Sequence, residues 1–277
     1  MDLQAYFNRI GFTGETRPDA ETLRALHRAH LLAIPYDSLD VQLGNPVSLD
    51  PQAAFEKIVV RGRGGWCYEM NGLFGAVLQA IGFQVTRMAG AAMREQRGDF
   101  MNASHLVLLV ESDDLRGLWI ADVGFGDGAL EPFPLVEGPL SIEGYDFRLE
   151  KLDDRWWRFH NHEFGGAKSF DFVIEPADQA VLQEKCDWLH DDPNSPFVQN
   201  LICQRYRGAE ILQLLGRSLR QIEGGVRRER LIASAEDLVE VLARDFTLDV
   251  PEVADLWPRV VARHEQVMAE AAAKAEA

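Results

Sequence analysis

The sequence predicts an α+β fold built in three successive units, and three observations carry that prediction. Up to about residue 84 the apolar residues recur at helical spacing. Beyond it they alternate with polar ones in short runs rich in Val, Ile, Phe and Trp. After Pro193 and Pro196 a second group of short strands gives way to two helices. A chain of 277 residues is long enough for two or three units with cores of their own, and 47% hydrophobic residues is an ordinary globular content.

The first helix carries Leu3, Tyr6, Phe7 and Ile10 on one face and stops at Gly11. The second begins near Asp19, aligns Leu23, Leu26 and His30, and ends before Pro35. An irregular link spans 37–49. The third helix, 51–60, has Pro51 in its first turn and Asp50 as its cap. The fourth starts at Cys67, with Leu73, Phe74, Val77, Leu78 and Ile81 at helical spacing and Gly82 as its stop. Strands follow at 83–88, 105–110, 118–123, 145–152, 156–160 and 169–174, with Asp153-Asp154 as a hairpin turn; this spacing suggests a barrel or a sandwich. In the last unit 197–206, 211–215, 219–222 and 226–232 read as strands, the last two joined by Gly224-Gly225. A helix capped by Ser234 carries Leu238, Val241 and Leu242. The final helix begins near Pro251, and its Ala- and Glu-rich end has too little apolar surface to dock, so fraying is expected.

The chemistry concentrates at Arg61-Gly62-Arg63-Gly64-Gly65-Trp66-Cys67-Tyr68-Glu69-Met70-Asn71. A lone cysteine is most often a small buried hydrophobe. Here, however, Cys67 opens a helix, where unpaired N–H groups and the helix dipole favour negative charge. Arg61 and Arg63 lie just upstream, and all these features are expected to push the thiol toward thiolate. The glycine pair leaves room for another molecule near the sulfur.

His105 opens one predicted strand and Asp122 ends the next. Residues paired across a hairpin share a constant sum, and the midpoint of 105 and 122 falls in the polar turn Ser112-Asp113-Asp114. The two side chains are therefore expected to face each other across the ladder, where a carboxylate would fix the imidazole tautomer; a slip of one residue would separate them. Without a nucleophile nearby, the same pair would be an ordinary buried ion pair. His160, His162 and Glu163 lack the companions of a metal site, so no metal is expected. Gly124-Phe125-Gly126-Asp127-Gly128 is not a P-loop, having no Lys-Ser/Thr ending; Phe125, between glycines, is expected to be exposed and to line a pocket.

The net charge of −16 argues against nucleic acid or an anionic membrane as partner and leaves a small anionic ligand feasible in a locally basic pocket. Cys67, Cys186 and Cys203 form no paired spacing, which fits a reducing compartment. With no basic-then-apolar leader and no apolar run near 20 residues, a soluble cytoplasmic protein is expected. The sequence neither requires nor forbids a homo-oligomer.

These residues resemble the arylamine N-acetyltransferase family over nearly the whole chain. The likeness rests on Tyr6-Phe7-Asn8-Arg9-Ile10-Gly11-Phe12, His30-Leu31-Leu32-Ala33-Ile34-Pro35 and the Arg63 to Asn71 motif. Ser104-His105-Leu106-Val107, Asp122-Val123-Gly124-Phe125-Gly126 and Ser195-Pro196-Phe197-Val198-Gln199-Asn200 complete it. The resemblance implies a helical bundle (1–84) carrying the nucleophile, a β-barrel (85–192) carrying His and Asp, and an α/β lid (193–277), around a cysteine-peptidase-like Cys-His-Asp core. It implies Cys67, His105 and Asp122 as the triad, and Ser104, Phe125 and Gly126 along the substrate and coenzyme pocket. It also implies acetyl-coenzyme A as co-substrate, with no permanently bound cofactor, and arylamines, arylhydrazines or hydrazides as acceptors, by a ping-pong route. This chain has Pro35-Tyr36-Asp37-Ser38-Leu39 where the family often has Pro-Phe-Glu-Asn-Leu, and it also departs from the family at 88–91 and 189–194. Amide synthases that close polyketide macrolactams share the pattern and are the alternative. A cysteine peptidase would need a longer, open cleft, and a catalytically silent binding protein would not need the intact triad.

Overall fold

The computed structural model describes residues 1–275. Its helical part begins with α1 (Leu3–Ile10) and α2 (Ala20–Ala33), whose caps are the predicted local ones: Asp19 Oδ1 accepts from Thr22 N, and Gly11 takes the left-handed turn. The 37–49 link is not irregular throughout. Tyr36–Asp37 forms a two-residue strand, β1, and Leu39–Leu43 a short helix, α3. Strand β1 exists because it pairs with a strand far along the chain, a constraint no local pattern carries. The helix predicted at 51–60 is α4 (Pro51–Phe55) running into a π-helical turn at Glu56–Val60. Then comes α5 (Cys67–Ile81), stopped by Gly82 at φ +116°.

An eight-stranded antiparallel sheet follows: β2 (Gln84–Ala92), β3 (His105–Glu111), β4 (Trp119–Ala121), β5 (Phe133–Pro134), β6 (Gly138–Ile142), β7 (Tyr145–Lys151), β8 (Trp156–His160) and β9 (Ser169–Val173). A short helix, α6 (Arg94–Arg97), interrupts it after β2. The spatial order β5-β4-β3-β2-β9-β8-β7-β6 makes β5 and β6 the two edges. Both were missed in the sequence because Pro134, Gly138 and Pro139 disguise them; proline is tolerated where one side of a strand has no ladder to feed. The curled sheet holds its inner face together with Phe133, Phe147, Phe159 and Phe170, whose rings stack on one another. The apolar faces of α1, α2 and α5 share this core.

Helix α7 (Gln179–Asp191) was not predicted, since its buried stripe is only Leu182, Cys186 and Leu189. The strand expected from 197 begins later: Ser195 caps α8 (Pro196–Gln199), with Pro196 in the first turn. A second sheet, β1-β10-β11-β12-β13, is built from β10 (Ile202–Arg207), β11 (Glu210–Leu215), β12 (Ser218–Glu223) and β13 (Val226–Leu231) around the N-terminal β1. Helix α9 (Ala235–Asp245) covers it, and a 3-10 turn at Pro251–Leu256 leads to α10 (Trp257–Ala275). The expected fraying falls within α10, which stays helical through Ala275; residues 276 and 277 lie outside the described residues. No helix among the described residues is long and apolar enough to cross a membrane.

The start of α5 is fixed from below by charge. Lys57 Nζ lies 2.7 Å from Asp40 Oδ2 and 2.7 Å from Glu69 Oε2, all three buried, and Glu69 Oε2 also accepts from Trp66 N at 3.3 Å. Burial works against the Lys57 ammonium, but Glu69, Asp37 and Asp40 outweigh it and raise its pKa. Burial also raises the carboxyls of Glu69 and Asp37. Lys57→Met would strand these acids, and we expect a loss of about 3–5 kcal/mol at pH 7. A carboxyl raised in the folded state costs stability as pH climbs from its unfolded value near 4 through the folded one. The deficit of the variant should therefore shrink as pH falls toward 5, as urea unfolding at the two pH values would show.

Candidate active site

Cys67 is the first residue of α5 and lines a cavity of about 310 Å³. The residue is only 2% exposed, so the cavity is its route to other molecules. Cys67 belongs to a small apolar cluster with Trp66, Tyr68, Leu106, Cys186 and Leu189, the last of which also lines the cavity. Sγ donates weakly to Ser104 O at 3.9 Å, and Tyr68 Oη donates to Ala103 O at 2.6 Å. Ala103 itself has φ +64°, a left-handed kink that brings the start of β3 against the start of α5.

His105 and Asp122 are in contact, but not as the sequence placed them. The β3–β4 ladder pairs Leu108 with Ala121 and Val110 with Trp119, so it is centred one position beyond the predicted turn midpoint. That shifts the register by two, and Asp122 lies just past β4 as a diagonal neighbour of His105. An even shift preserves the face, which is why the contact survives. His105 Nε2 donates to Asp122 Oδ2 at 2.7 Å, with both side chains buried. Asp122 Oδ1 accepts from Asn71 Nδ2 at 2.7 Å and from Gly124 N at 2.9 Å. Burial opposes ionisation of Asp122, but His105, Asn71 and Gly124 together outweigh it and hold the carboxyl below its usual range. His105 lines the same cavity as Cys67.

The field expected at Cys67 is not the one present. Burial is the largest influence and pushes the thiol well up, with Cys186 and Asp122 adding to it; the N–H groups of Leu106 and Tyr68 oppose it. Neither arginine supplies the expected help: Arg63 pairs with Asp40 at 3.2 Å and Glu252 at 3.4 Å, and Arg61 is solvent-exposed. A thiolate at this depth needs a counter-charge, and His105 lines the same cavity.

Among the other predicted pocket residues, Ser104 and Phe125 line the cavity. The Ser104 hydroxyl is already used, accepting from Ala92 N at 3.1 Å. Phe125 is buried rather than exposed, packed against His105 and Phe170. Gly126 is not among the residues lining this cavity; at φ +71° it lies against the Gln204 side chain, where a Cβ would collide. Of the glycines in the 124–128 turn, Gly124 lines the wall. A Cβ there would fall 2.8 Å from Cys67 Cα and O. Gly124→Ala should therefore cost about 1–3 kcal/mol in thermal unfolding.

Two site-building residues carried no role in the sequence reading. Asn71, one helical turn after Cys67, donates to Leu106 O at 2.5 Å and to Asp122, and accepts from Val123 N at 2.9 Å. One amide thus joins α5 to both hairpin strands; its signal was a polar residue in an apolar helical stretch. Asp127, also buried, accepts from Gly166 N (2.7 Å), Gln204 Nε2 (2.7 Å) and Gln213 Nε2 (2.6 Å), tying the 124–128 turn to the second sheet. His160 and His162 have separate partners, Glu150 Oε2 and Asp127 O.

Comparison with known proteins gives this geometry a family. A sequence profile describing an N-acetyltransferase family matches residues 19–255. The arylamine N-acetyltransferase of Mycolicibacterium smegmatis is 33% identical over 267 residues, covering 94% of this chain and 97% of that protein. The arylamine N-acetyltransferase of Mycobacterium marinum, solved in complex with CoA, superposes with a TM-score of 0.83 at 30% identity, covering 95% of this chain and 98% of that one. Proansamycin X synthase of Amycolatopsis mediterranei is 29% identical over 257 residues, 90% of this chain and 98% of its own length. By fold, motif and matched length, the chain belongs to the arylamine N-acetyltransferase family and is an N-acetyltransferase.

Proposed function

We infer that the enzyme moves an acetyl group from acetyl-coenzyme A to the nitrogen of an arylamine, arylhydrazine or hydrazide through an acetyl-Cys67 intermediate. The observation that carries this reading is a buried sulfur sharing one cavity with a histidine whose far nitrogen is anchored on a carboxylate. With Nε2 committed to Asp122, Nδ1 is the nitrogen available to take the Cys67 proton, giving a thiolate–imidazolium pair that offsets the cost of burial. The thiolate attacks the thioester carbonyl, the carbon–sulfur bond to the coenzyme breaks, and the departing thiolate takes the proton from His105. The acceptor amine then attacks the acyl-cysteine. His105 removes its proton and returns it to the Cys67 sulfur as the amide forms. A thioester intermediate suits this second step because it remains activated toward an amine. The relative solved with CoA supports the donor assignment.

In this reading residues 1–84 supply the nucleophile, 85–192 the histidine and its acid, and 193–277 the lid over the cavity. The three free thiols suit a reducing cytoplasm. The test is intact-mass measurement after mixing with acetyl-coenzyme A alone: a single acetyl adduct on Cys67, discharged by an aromatic amine, is expected. The likeness to proansamycin X synthase favours a second reading, an amide synthase closing a macrolactam from a carrier-bound chain. On that reading acetyl-coenzyme A leaves Cys67 unmodified.

A further inference from the structure

We propose that Arg97 and Arg220 bind the phosphate groups of the acyl donor at the cavity mouth, an assignment that rests on the coenzyme A reading given above. The chain carries 44 acidic residues and a net charge of −16, a field that repels a polyanionic coenzyme. The cavity reverses that sign. No Asp or Glu is among its lining residues in the described structure, and apart from His105 its ionisable cationic groups are Arg97 and Arg220. They come from different parts of the fold, Arg97 from α6 after β2 and Arg220 from β12 of the second sheet. The rest of the wall is largely apolar, with Met93, Met101, Phe197 and Leu214 among its residues.

A nucleophile, an apolar wall and two guanidinium groups in one cavity suit the chemistry of the donor, which carries a thioester, a long uncharged arm, and a diphosphate and ribose phosphate. Arg97 is solvent-exposed, while Arg220 is 30% exposed with Nε 3.3 Å from Glu229 Oε2. Glu229 is the one carboxylate paired with either arginine in the described structure, and it sits on β13 directly across from Arg220. Arg227, two residues before Glu229 on the same strand face, also acts on that carboxyl. The cluster therefore keeps a positive excess, and an incoming phosphate replaces Glu229 as the partner of Arg220. Guanidinium suits the task because its planar fork meets two phosphate oxygens at once.

The test compares acetyl-coenzyme A with S-acetylpantetheine, which has the same thioester and arm but no phosphate. In Arg97→Gln and Arg220→Gln the KM for acetyl-coenzyme A should rise about tenfold each, so that the preference over S-acetylpantetheine falls by the same factor. Arg116→Gln, an exposed site in the β3–β4 turn, removes one charge elsewhere and should leave the preference at the parent value. An unchanged preference in both cavity variants, or an equal loss with both donors, overturns the proposal. If acetyl-coenzyme A fails to acylate Cys67 even in the parent, the donor reading itself falls, and that result is distinguishable from a failure of the two arginines alone.

Discussion

Cys67→Ala is expected to reduce acetyl transfer to the solution background while leaving the fold in place. The residue supplies a sulfur at the wall of a cavity, not a structural bond, so truncation removes one atom from a partly open packing site. By analogy with losing the nucleophile of another covalent enzyme, the drop in turnover is on the order of 10⁶. The stability cost should be about 1 kcal/mol, within the common range for single substitutions. Circular dichroism and a thermal melt check the second part, and a coupled thiol-release assay checks the first. The other two cysteines do not compromise the reading: neither Cys186 nor Cys203 lines the cavity, and burial pushes their thiols up, that of Cys186 to about 12. A variant that acetylates an aromatic amine at the parent rate would remove Cys67 from the mechanism altogether.

Much of this site was legible because its determinants are short-range or periodic. The helix opened by Cys67 announces itself through a glycine pair before it, apolar spacing along it and Gly82 after it. The contact between His105 and Asp122 followed from alternation in two strands, and it tolerated a register error because that error was even. What escaped depends on distant partners. Strand β1 is two residues long and exists through its pairing with β10, and β5 and β6 contain prolines that only an edge position accommodates. Helix α7 buries too narrow a stripe to stand out, yet it supplies Cys186 and Leu189 to the apolar cluster that includes Cys67. The electrostatics at Cys67 misled for a related reason. Sequence shows a helix start and two arginines, but not the depth at which the thiol is buried, and not that Arg63 is committed to Asp40. Likewise Gly124 and Gly126 are equivalent as letters, and only the packing tells that the first faces Cys67 and the second faces Gln204.

Asp122→Asn should lower turnover by about 10⁴, the scale seen when a triad histidine is held in the wrong tautomer. The hydrogen bonds dictate that outcome. Asp122 Oδ1 accepts from two fixed donors, Asn71 Nδ2 and Gly124 N, so the amide oxygen of an asparagine must stay on that side. Its NH₂ group is then turned toward His105 Nε2, which becomes an acceptor, and the ring proton moves to Nδ1. A protonated Nδ1 on a neutral ring has no lone pair for the Cys67 proton. The variant also loses the carboxylate charge that stabilises imidazolium, so the thiolate forms only as the buried thiol itself ionises, and burial has already pushed that ionisation up. Alkylation of Cys67 followed against pH should reveal this directly. In the parent, reactivity should already be high at neutral pH because the ion pair supplies thiolate. In the variant it should be low there and climb only in alkaline solution, beyond the ordinary thiol range near 8.5. Superimposable profiles would mean that Asp122 only packs against His105, and the source of the thiolate would have to lie elsewhere on the cavity wall.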